Sequence, residues 1–309
     1  MKKKDQKIIP CLWFNKEAEE AVKFYTSLFR DSVIYSRSTY TEAGQENHRQ
    51  EPGTAMSVNF SLAGNLFTAL NGAGDLGFNP AVSLFVVSNS EKEIADLWKA
   101  LLKGGESMMP LQAYDWSPKY GWLRDRYGLS WQLMLEDHAT PEIRIAPLIF
   151  FTGDNHGKAA EAIRFYTSIF RKAEIENILK YGKENTYAEN GVKHARFRLE
   201  DQIFMAMDSG VENDFPFNET VSFMVMCRDQ QEIDYYWKAL SKDADLRHQQ
   251  CGWLKDKFGI SWQVLPRELE EFLVSADKER SDRVMNALLE MKKIELEPLQ
   301  KAFRGEEVS

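Results

Sequence analysis

Residues Gly121–Leu133 read GWLRDRYGLSWQL, and residues Gly252–Val264 repeat them as GWLKDKFGISWQV. Every difference between the two copies conserves charge or shape, so the chain contains an internal duplication that fixes the unit of its architecture. Each copy predicts a strand, a turn that a glycine closes at positive φ, and a second strand. Asp125 and Asp256 are expected to cap the two turns through their side chains.

The duplication extends over most of the chain. Phe24–Phe29 (FYTSLF) recurs as Phe165–Phe170 (FYTSIF), and Trp98–Leu101 (WKAL) recurs as Trp237–Leu240. Apolar spacing of three and four residues predicts helices, and alternation between flanking turn residues predicts strands. The first unit is predicted as a strand at 8–14, a helix at 18–29 and strands at 33–40, 55–62 and 66–70. The sequence therefore predicts two βαβββ modules in each half.

Four segments follow from this pattern: a first domain at 1–137, a linker at 138–144, a second domain at 145–268 and a tail at 269–309. Apolar residues recur at helical spacing from Val284 to Leu296 among dense charges, which predicts one amphipathic tail helix. The second copy is about eight residues shorter before its closing hairpin, where the first carries Gln112–Lys119. An insertion of that length predicts a loop that shapes a site or covers it.

The bulk composition excludes several classes of protein. The net charge is −8, from 39 basic and 47 acidic residues, so the broad basic surface of a nucleic-acid-binding protein is absent. No apolar run is long enough to span a bilayer, and the basic start lacks the apolar region of a signal peptide. Three scattered cysteines do not form a disulfide framework. We expect a cytoplasmic protein with no membrane or nucleic-acid partner.

The segments Cys11–Phe29 and Tyr120–Gln132 carry a family resemblance. They resemble the PhnB-like, or "3-demethylubiquinone-9 3-methyltransferase", family of the vicinal oxygen chelate superfamily, which includes glyoxalases, dioxygenases and bleomycin-resistance proteins. The resemblance covers residues 8–135 and 145–266, and the tail is also similar. It implies an α+β fold of four βαβββ modules paired into two glyoxalase-like domains, plus a C-terminal helix. Because two chains pair in single-domain relatives, it also implies a monomer that mimics that dimer, or a homodimer.

The methyltransferase name has one tempting match, because Gly72–Gly77 has the G-x-G-x-x-G spacing of a nucleotide-binding loop. Such a loop needs a helix to open after it, so that the amide groups at the helix N-terminus face the anion. Here Phe78-Asn79-Pro80 and a predicted strand follow instead. The sequence therefore does not support the methyltransferase name.

The resemblance implies a divalent metal between ligands on the first, middle and closing strands of each domain. Those positions carry Pro10, Ser83 and Gln132 in the first half and Pro147, Ser222 and Gln263 in the second. Zinc, iron and manganese favour imidazole or carboxylate, which these positions lack. The sequence therefore predicts no metal and no other cofactor. A metal-dependent lyase, dioxygenase or transferase of the superfamily is the alternative.

Strand alternation predicts the lining of the two cavities. In 55–62 it places Ser57, Asn59 and Ser61 opposite the helices, and in 193–199 it places His194, Arg196 and Arg198 there. The first cavity is then neutral and the second basic, unless this is simply a solvated sheet face. We expect an anion between the guanidinium groups, bound mainly by Arg196 and more tightly as His194 is protonated. The candidate ligand-binding residues are Ser57, Asn59, Ser83, Gln132, His194, Arg196, Ser222 and Gln263.

The sequence thus favours a protein that binds a small molecule in one or both cavities. A pure interaction scaffold, with filled cavities, is a third possibility. Cys251 is either a thiol activated by basic neighbours or an inert half-buried residue. The tryptophans of the repeats form either the domain cores or stacking walls for a ligand.

Overall fold

The computed structural model describes residues 6–43, 45, 49–72, 74, 76–136, 144–274 and 277–306, which form two mixed β-sheets with helices between them. The order of elements confirms the predicted α+β architecture. Apart from Arg144, the predicted linker lies outside the described residues. No helix in the described ranges is long and apolar enough to cross a membrane.

The modules follow one another along the chain. Module 1 contains β1 (Ile8–Phe14), α1 (Ala18–Leu28), β2 (Val33–Thr39), β3 (Ala55–Leu62) and β4 (Asn65–Asn71). Module 2 contains β5 (Val82–Ser88), α2 (Glu91–Leu102), β6 (Glu106–Tyr114), β7 (Ser117–Arg124) and β8 (Ser130–Leu135). Module 3 contains β9 (Arg144–Phe151), a 3₁₀ turn (Gly153–Asn155), α3 (Ala159–Ile169), β10 (Ala173–Lys180), β11 (Val192–Leu199) and β12 (Gln202–Asp208). Module 4 contains β13 (Val221–Cys227), α4 (Gln230–Leu240), a 3₁₀ turn (Leu246–His248), β14 (Trp253–Lys255) and β15 (Ser261–Pro266).

Each sheet combines one module from each half of the chain. The first sheet has the order β14-β15-β13-β1-β4-β3-β2, and the second has β10-β11-β12-β9-β5-β8-β7-β6. Antiparallel pairing of β1 with β13 joins module 1 to module 4, and pairing of β5 with β9 joins module 2 to module 3. The sequence analysis grouped the cavity positions by halves of the chain, but each sheet combines positions from both halves, because it contains one module from each copy.

The two sheets share one apolar core on the faces that contact α1–α4, which we call the helix faces. Alternation puts Val58, Phe60 and Leu62 of β3 into this core, as the sequence predicts. Trp131 and Trp262 are fully buried in it. The repeat tryptophans at these two positions are core residues and do not form ligand walls.

A buried aspartate organises each repeated hairpin. Asp125 accepts hydrogen bonds at Oδ1 from the backbone N–H groups of Tyr127 and Leu129, and at Oδ2 from the hydroxyl of Tyr25 and Nε1 of Trp131. Asp256 accepts the same four bonds in the second copy. Gly128 and Gly259 follow at φ 87° and 88°. The predicted turn capping is confirmed, and it extends to a tyrosine on a helix that packs against the other sheet.

The tail differs from the predicted single helix. It forms α5 (Leu269–Leu273), α6 (Lys278–Leu289) and α7 (Leu296–Arg304). The chain leaves its helical path after α6 because the carbonyls of Met291 and Lys292 accept hydrogen bonds from the backbone N–H groups of Cys251 and Gly252.

The extra residues of the first copy also differ from the prediction. Gln112–Lys119 form the adjoining ends of β6 and β7, so they are part of a hairpin and not a loop over a site. The described residues of module 4 have no counterpart of β6. The tail segment at Met291–Lys292 occupies the edge beside β14 instead.

The buried Trp131 gives a direct test of the core. We expect Trp131→Ala to lower the free energy of unfolding by about 3–5 kcal/mol, because the cavity left by a fully buried indole cannot collapse completely. Trp116, which is 54% exposed, is the matched control, and its replacement by alanine should cost less than about 0.5 kcal/mol. Denaturant midpoints measure both values, and equal losses would contradict the assignment of Trp131 to the core.

Asp256 gives a test by pH. Burial raises the pKa of Asp256 from 3.8 to about 6, while its four hydrogen bonds act in the opposite direction. The stability contributed by the protonated carboxyl is therefore complete below pH 3.8 and is lost as the pH rises through about 6. The variant Asp256→Asn lacks this titration. We expect the stability of the wild type relative to the variant to fall between about pH 4 and pH 6 in urea unfolding, and a constant difference would contradict the pKa.

Candidate functional site

The face of each sheet opposite its helix face, which we call its cup face, carries the predicted site residues. In the first sheet the register pairs Ser222 with Cys11, Cys11 with Thr68 and Thr68 with Asn59, so these side chains share the cup face. Gln263 and Ser57 lie on the same face. The structure therefore brings together four predicted residues, Ser57, Asn59, Ser222 and Gln263, that the sequence analysis assigned to two separate cavities.

The prediction for the first strand of each domain is wrong by one residue. Pro10 lies between Ile9 and Cys11 and turns to the helix face, and Pro147 does the same in the second sheet. Cys11 and Leu148 occupy the cup face instead. Strand β1 is buried along nearly its whole length, so its sequence shows no alternation that reveals which residues face the cup.

A cavity of about 410 Å³ lies on the cup face of the first sheet. Its walls are mainly apolar and include Ile9, Leu66, Met224, Trp253 and Leu265. The tail covers it with Leu269, Leu273 and Val274 from the α5 region and with Met285 and Leu288 from α6. The C-terminal segment therefore closes a cup that the sheet alone would leave open.

One polar strip in this cavity centres on Asn59. Oγ1 of Thr68 donates to Oδ1 of Asn59 at 2.7 Å, and Nδ2 of Asn59 donates to Oε1 of Glu270 at 2.9 Å. The hydroxyl of Ser36 donates to the same carboxylate oxygen at 2.5 Å. Glu270 thus brings a carboxylate from the tail into the cavity, a contribution that no sequence pattern indicates.

A second polar group in the cavity centres on Gln263. Its Nε2 donates to the hydroxyl of Ser222 at 3.0 Å, and both side chains are buried. Cys11 lies beside them, and burial raises the pKa of its thiol to about 11 although Gln263 and Ser222 act to lower it. The thiol is therefore protonated at neutral pH.

These residues do not fit a catalytic metal. The register places Cys11, Thr68, Ser222 and Gln263 around the centre of the cup, which offers one protonated thiol, two hydroxyls and one amide. The thiol is the only one of these four groups that zinc favours as a ligand, and catalytic zinc sites use three such protein ligands. Across the described ranges no group of three or more histidine, cysteine, aspartate or glutamate side chains is arranged to hold a metal.

The cup face of the second sheet is filled by its own side chains. Phe85, Tyr120, Leu148, Phe150 and Met205 are buried there, with Trp122, Met134 and Phe215 packed against them. By register, Leu148 and Met205 take the positions that Cys11 and Thr68 occupy in the first sheet. The larger side chains occupy the volume that the smaller pair leaves open.

Ser83 and Gln132 take part in a hydrogen-bond network on this cup face. Nε2 of Gln132 points to the hydroxyl of Ser83 at 3.4 Å, and the hydroxyl of Tyr120 donates to Oε1 of Gln132 at 2.8 Å. Ser83 also shares a hydrogen bond of 2.9 Å with Ser130, whose hydroxyl accepts from Nε1 of Trp122. These two predicted ligand-binding residues thus belong to a closed hydrogen-bond network.

The expectation of an anion between Arg196 and Arg198 is wrong, because a carboxylate of the protein lies there. Nε of Arg196 is 2.6 Å from Oε2 of Glu176, and Arg198 pairs with the other oxygen of the same carboxylate. Burial lowers the pKa of His194, whose ring lies 6.2 Å from that of Phe85. Glu176 therefore offsets one of the two guanidinium charges of the predicted basic cavity, and His194 is held towards its uncharged form.

The remaining candidates separate clearly. Trp253 lines the cavity of the first sheet, whereas Trp122 packs edge-on against Phe150 in the second. Cys251 lines the cavity, and burial raises the pKa of its thiol, which favours the inert interpretation.

In the match at Gly72–Gly77, Ala73 and Asp75 lie outside the described residues, and a turn leads directly from Gly77 into β5.

Comparisons with known proteins agree with this architecture. The family model described as "3-demethylubiquinone-9 3-methyltransferase" matches residues 6–134 and again residues 143–265. A PhnB protein from Bacillus cereus is 42% identical over 42% of this chain and 100% of its own, with a TM-score of 0.39. Glyoxalase I from Zea mays is 11% identical over 87% of this chain and 95% of its own, with a TM-score of 0.52, which shows a shared fold. The search of curated proteins gave no match.

The Glu176 cluster gives a test of the second sheet. We expect Glu176→Gln to lower the free energy of unfolding by about 1–3 kcal/mol, because two guanidinium groups then lose the carboxylate between them. Glu174 is the matched control, since its side chain is 67% exposed against 20% for Glu176, and Glu174→Gln should cost less than about 0.5 kcal/mol. Equal effects in urea unfolding would show that the cluster is only a solvated surface.

Proposed function

The chain belongs to the family described as "3-demethylubiquinone-9 3-methyltransferase", in two tandem copies, and from this premise we propose that it binds a small molecule in the cavity of the first sheet. The cavity of about 410 Å³ is the observation that carries the proposal. Pockets for small ligands have volumes of roughly 300–1,000 Å³, mostly apolar walls and a few convergent polar groups. This cavity has all three properties, and its polar groups include Asn59, Gln263, Glu270 and Arg267.

The comparison between the two sheets supports a binding role. Both cup faces keep the serine and glutamine pair, Ser222 with Gln263 and Ser83 with Gln132. Only the first sheet combines that pair with the small residues Cys11 and Thr68 and with a cover from the tail. We therefore place the site in the first sheet, and the second sheet supports the fold.

The competing functions are less well supported. A metal-dependent lyase, dioxygenase or transferase needs a donor set that the cup does not provide. A methyltransferase needs a cofactor site, and the nucleotide-like spacing at Gly72–Gly77 leads into a strand. A pure scaffold agrees with the filled second sheet but leaves the cavity in the first unexplained. All three cysteines are free thiols, which supports the proposal of a reducing, cytoplasmic location.

The residues that fill the cup face of the second sheet suggest the substitutions that test the site. We expect the double variant Cys11→Leu with Thr68→Met, which copies Leu148 and Met205, to reduce binding of the neutral fluorescent probe N-phenyl-1-naphthylamine at least about tenfold. The added side chains occupy space in the cavity without adding charge. Fluorescence titration measures the affinity, and thermal unfolding confirms that the variant is folded.

The matched control changes the same positions without filling them. Cys11→Ala with Thr68→Val keeps the cavity open, so probe affinity should stay within about threefold of the wild type. If the wild type binds no probe, or if the filled and open variants bind equally well, the cavity is not the binding site.

A further inference from the structure

The second sheet shows what fits against the shared glutamine. There the phenol side chain of Tyr120 lies across the cup, and its hydroxyl donates to Oε1 of Gln132 at 2.8 Å. The Nε2 group of Gln132 points the other way, to Ser83. Tyr120 is buried, so this phenol acts as an internal occupant of the closed cup.

The first sheet has the same serine and glutamine pair, but no tyrosine lies against it. Nε2 of Gln263 donates to Ser222, which turns Oε1 in the direction that it takes in Gln132. The sequence repeat places Cys251 directly before Gly252-Trp253, where the first copy has Tyr120 before Gly121-Trp122. The side-chain contacts of Gln263 are with Ser222 and with the thiol of Cys11, which is only a weak donor. No hydroxyl group of the described residues donates to Oε1 of Gln263 as Tyr120 does to Gln132, and both Gln263 and Cys251 line the cavity.

The walls around this position suit an aromatic ring. Register places Met224 where the second sheet has Phe85, and Trp253 where it has Trp122. Both residues line the cavity, together with Leu265. Thioether and indole groups make favourable contacts with aromatic rings. Ser222 and Cys11, which lie beside Gln263, are uncharged residue types. The cationic Arg267, which also lines the cavity, follows the far end of β15, so the Gln263 end of the cavity favours a neutral hydroxyl group.

We propose that the ligand is a phenol, whose ring takes the place that the Tyr120 side chain has in the second sheet and whose hydroxyl donates to Oε1 of Gln263. This inference rests on the proposed function, because it names the class of molecule that the cavity binds. The remaining volume towards Asn59 and Glu270 accommodates the substituents of the ring.

The test compares three probes of nearly equal size: 4-propylphenol, 4-propylanisole and propylbenzene. Isothermal titration to the full chain should show the phenol binding about tenfold more tightly than the ether and the hydrocarbon, because only the phenol supplies the donor that the buried amide oxygen needs. Gln263→Leu should remove this preference. Gln132→Leu is the matched control in the second sheet and should retain it.

A second variant at the same position tests the inference in case Gln263→Leu does not fold. Gln263→Met keeps the length of the side chain but lacks the amide oxygen, so it should also abolish the preference for 4-propylphenol. If the phenol and the ether bind equally to the wild type, or if the preference survives Gln263→Leu, the phenol inference is wrong while the small-molecule site stands. If none of the three probes binds, both proposals are wrong.

Discussion

The carboxylates of Asp125 and Asp256 hold together parts of the chain that strand pairing does not connect. Asp125 caps the β7–β8 hairpin of the second sheet and accepts a hydrogen bond from Tyr25 on α1, which packs against the first sheet. Asp256 makes the reciprocal link, from the first sheet to Tyr166 on α3. A buried carboxylate is costly unless its oxygens are hydrogen-bonded, so each aspartate specifies where a helix sits relative to the neighbouring sheet. The shared core, and with it the position of both cup faces, follows from this arrangement.

The exchange of modules between the halves explains how one duplication produced two different cups. Each sheet takes one module from each copy. Every cup therefore combines the strands of the first module of one half with the strands of the second module of the other half. The serine and glutamine pair comes from the second modules and is the same in both cups. The positions beside it come from the first modules, with Cys11 and Thr68 in one sheet and Leu148 and Met205 in the other. Divergence at these positions separates a cavity from a packed core.

The tail completes the cup that stays open. Its backbone at Met291–Lys292 bonds to the edge beside β14, where the second sheet has β6, and α5 and α6 cover the cavity. Glu270 enters the cavity from this cover and bonds to Asn59 and Ser36. The same segment therefore stabilises a sheet edge and supplies a polar group to the proposed ligand site, which links the stability of the tail to the state of the cavity.

The sequence by itself determined the features that depend on neighbouring residues. The repeat, the helical spacing from Ala18 and the turn residues of Gly121–Leu133 predicted the modules and the capped hairpins, because periodicity and turn chemistry are local. Serine and glutamine at Ser83, Gln132, Ser222 and Gln263 also led to the expectation that no metal binds, which stays a prediction. Only the tertiary structure decided which modules pair, since β1 bonds to β13 across more than half of the chain and all modules have similar patterns. It also decided that Cys11 and not Pro10 faces the cup, that Glu176 lies between Arg196 and Arg198, and that Glu270 reaches Asn59. A strand that is buried on both faces shows no alternation, and contacts between distant segments have no local signature, so these features required the folded chain.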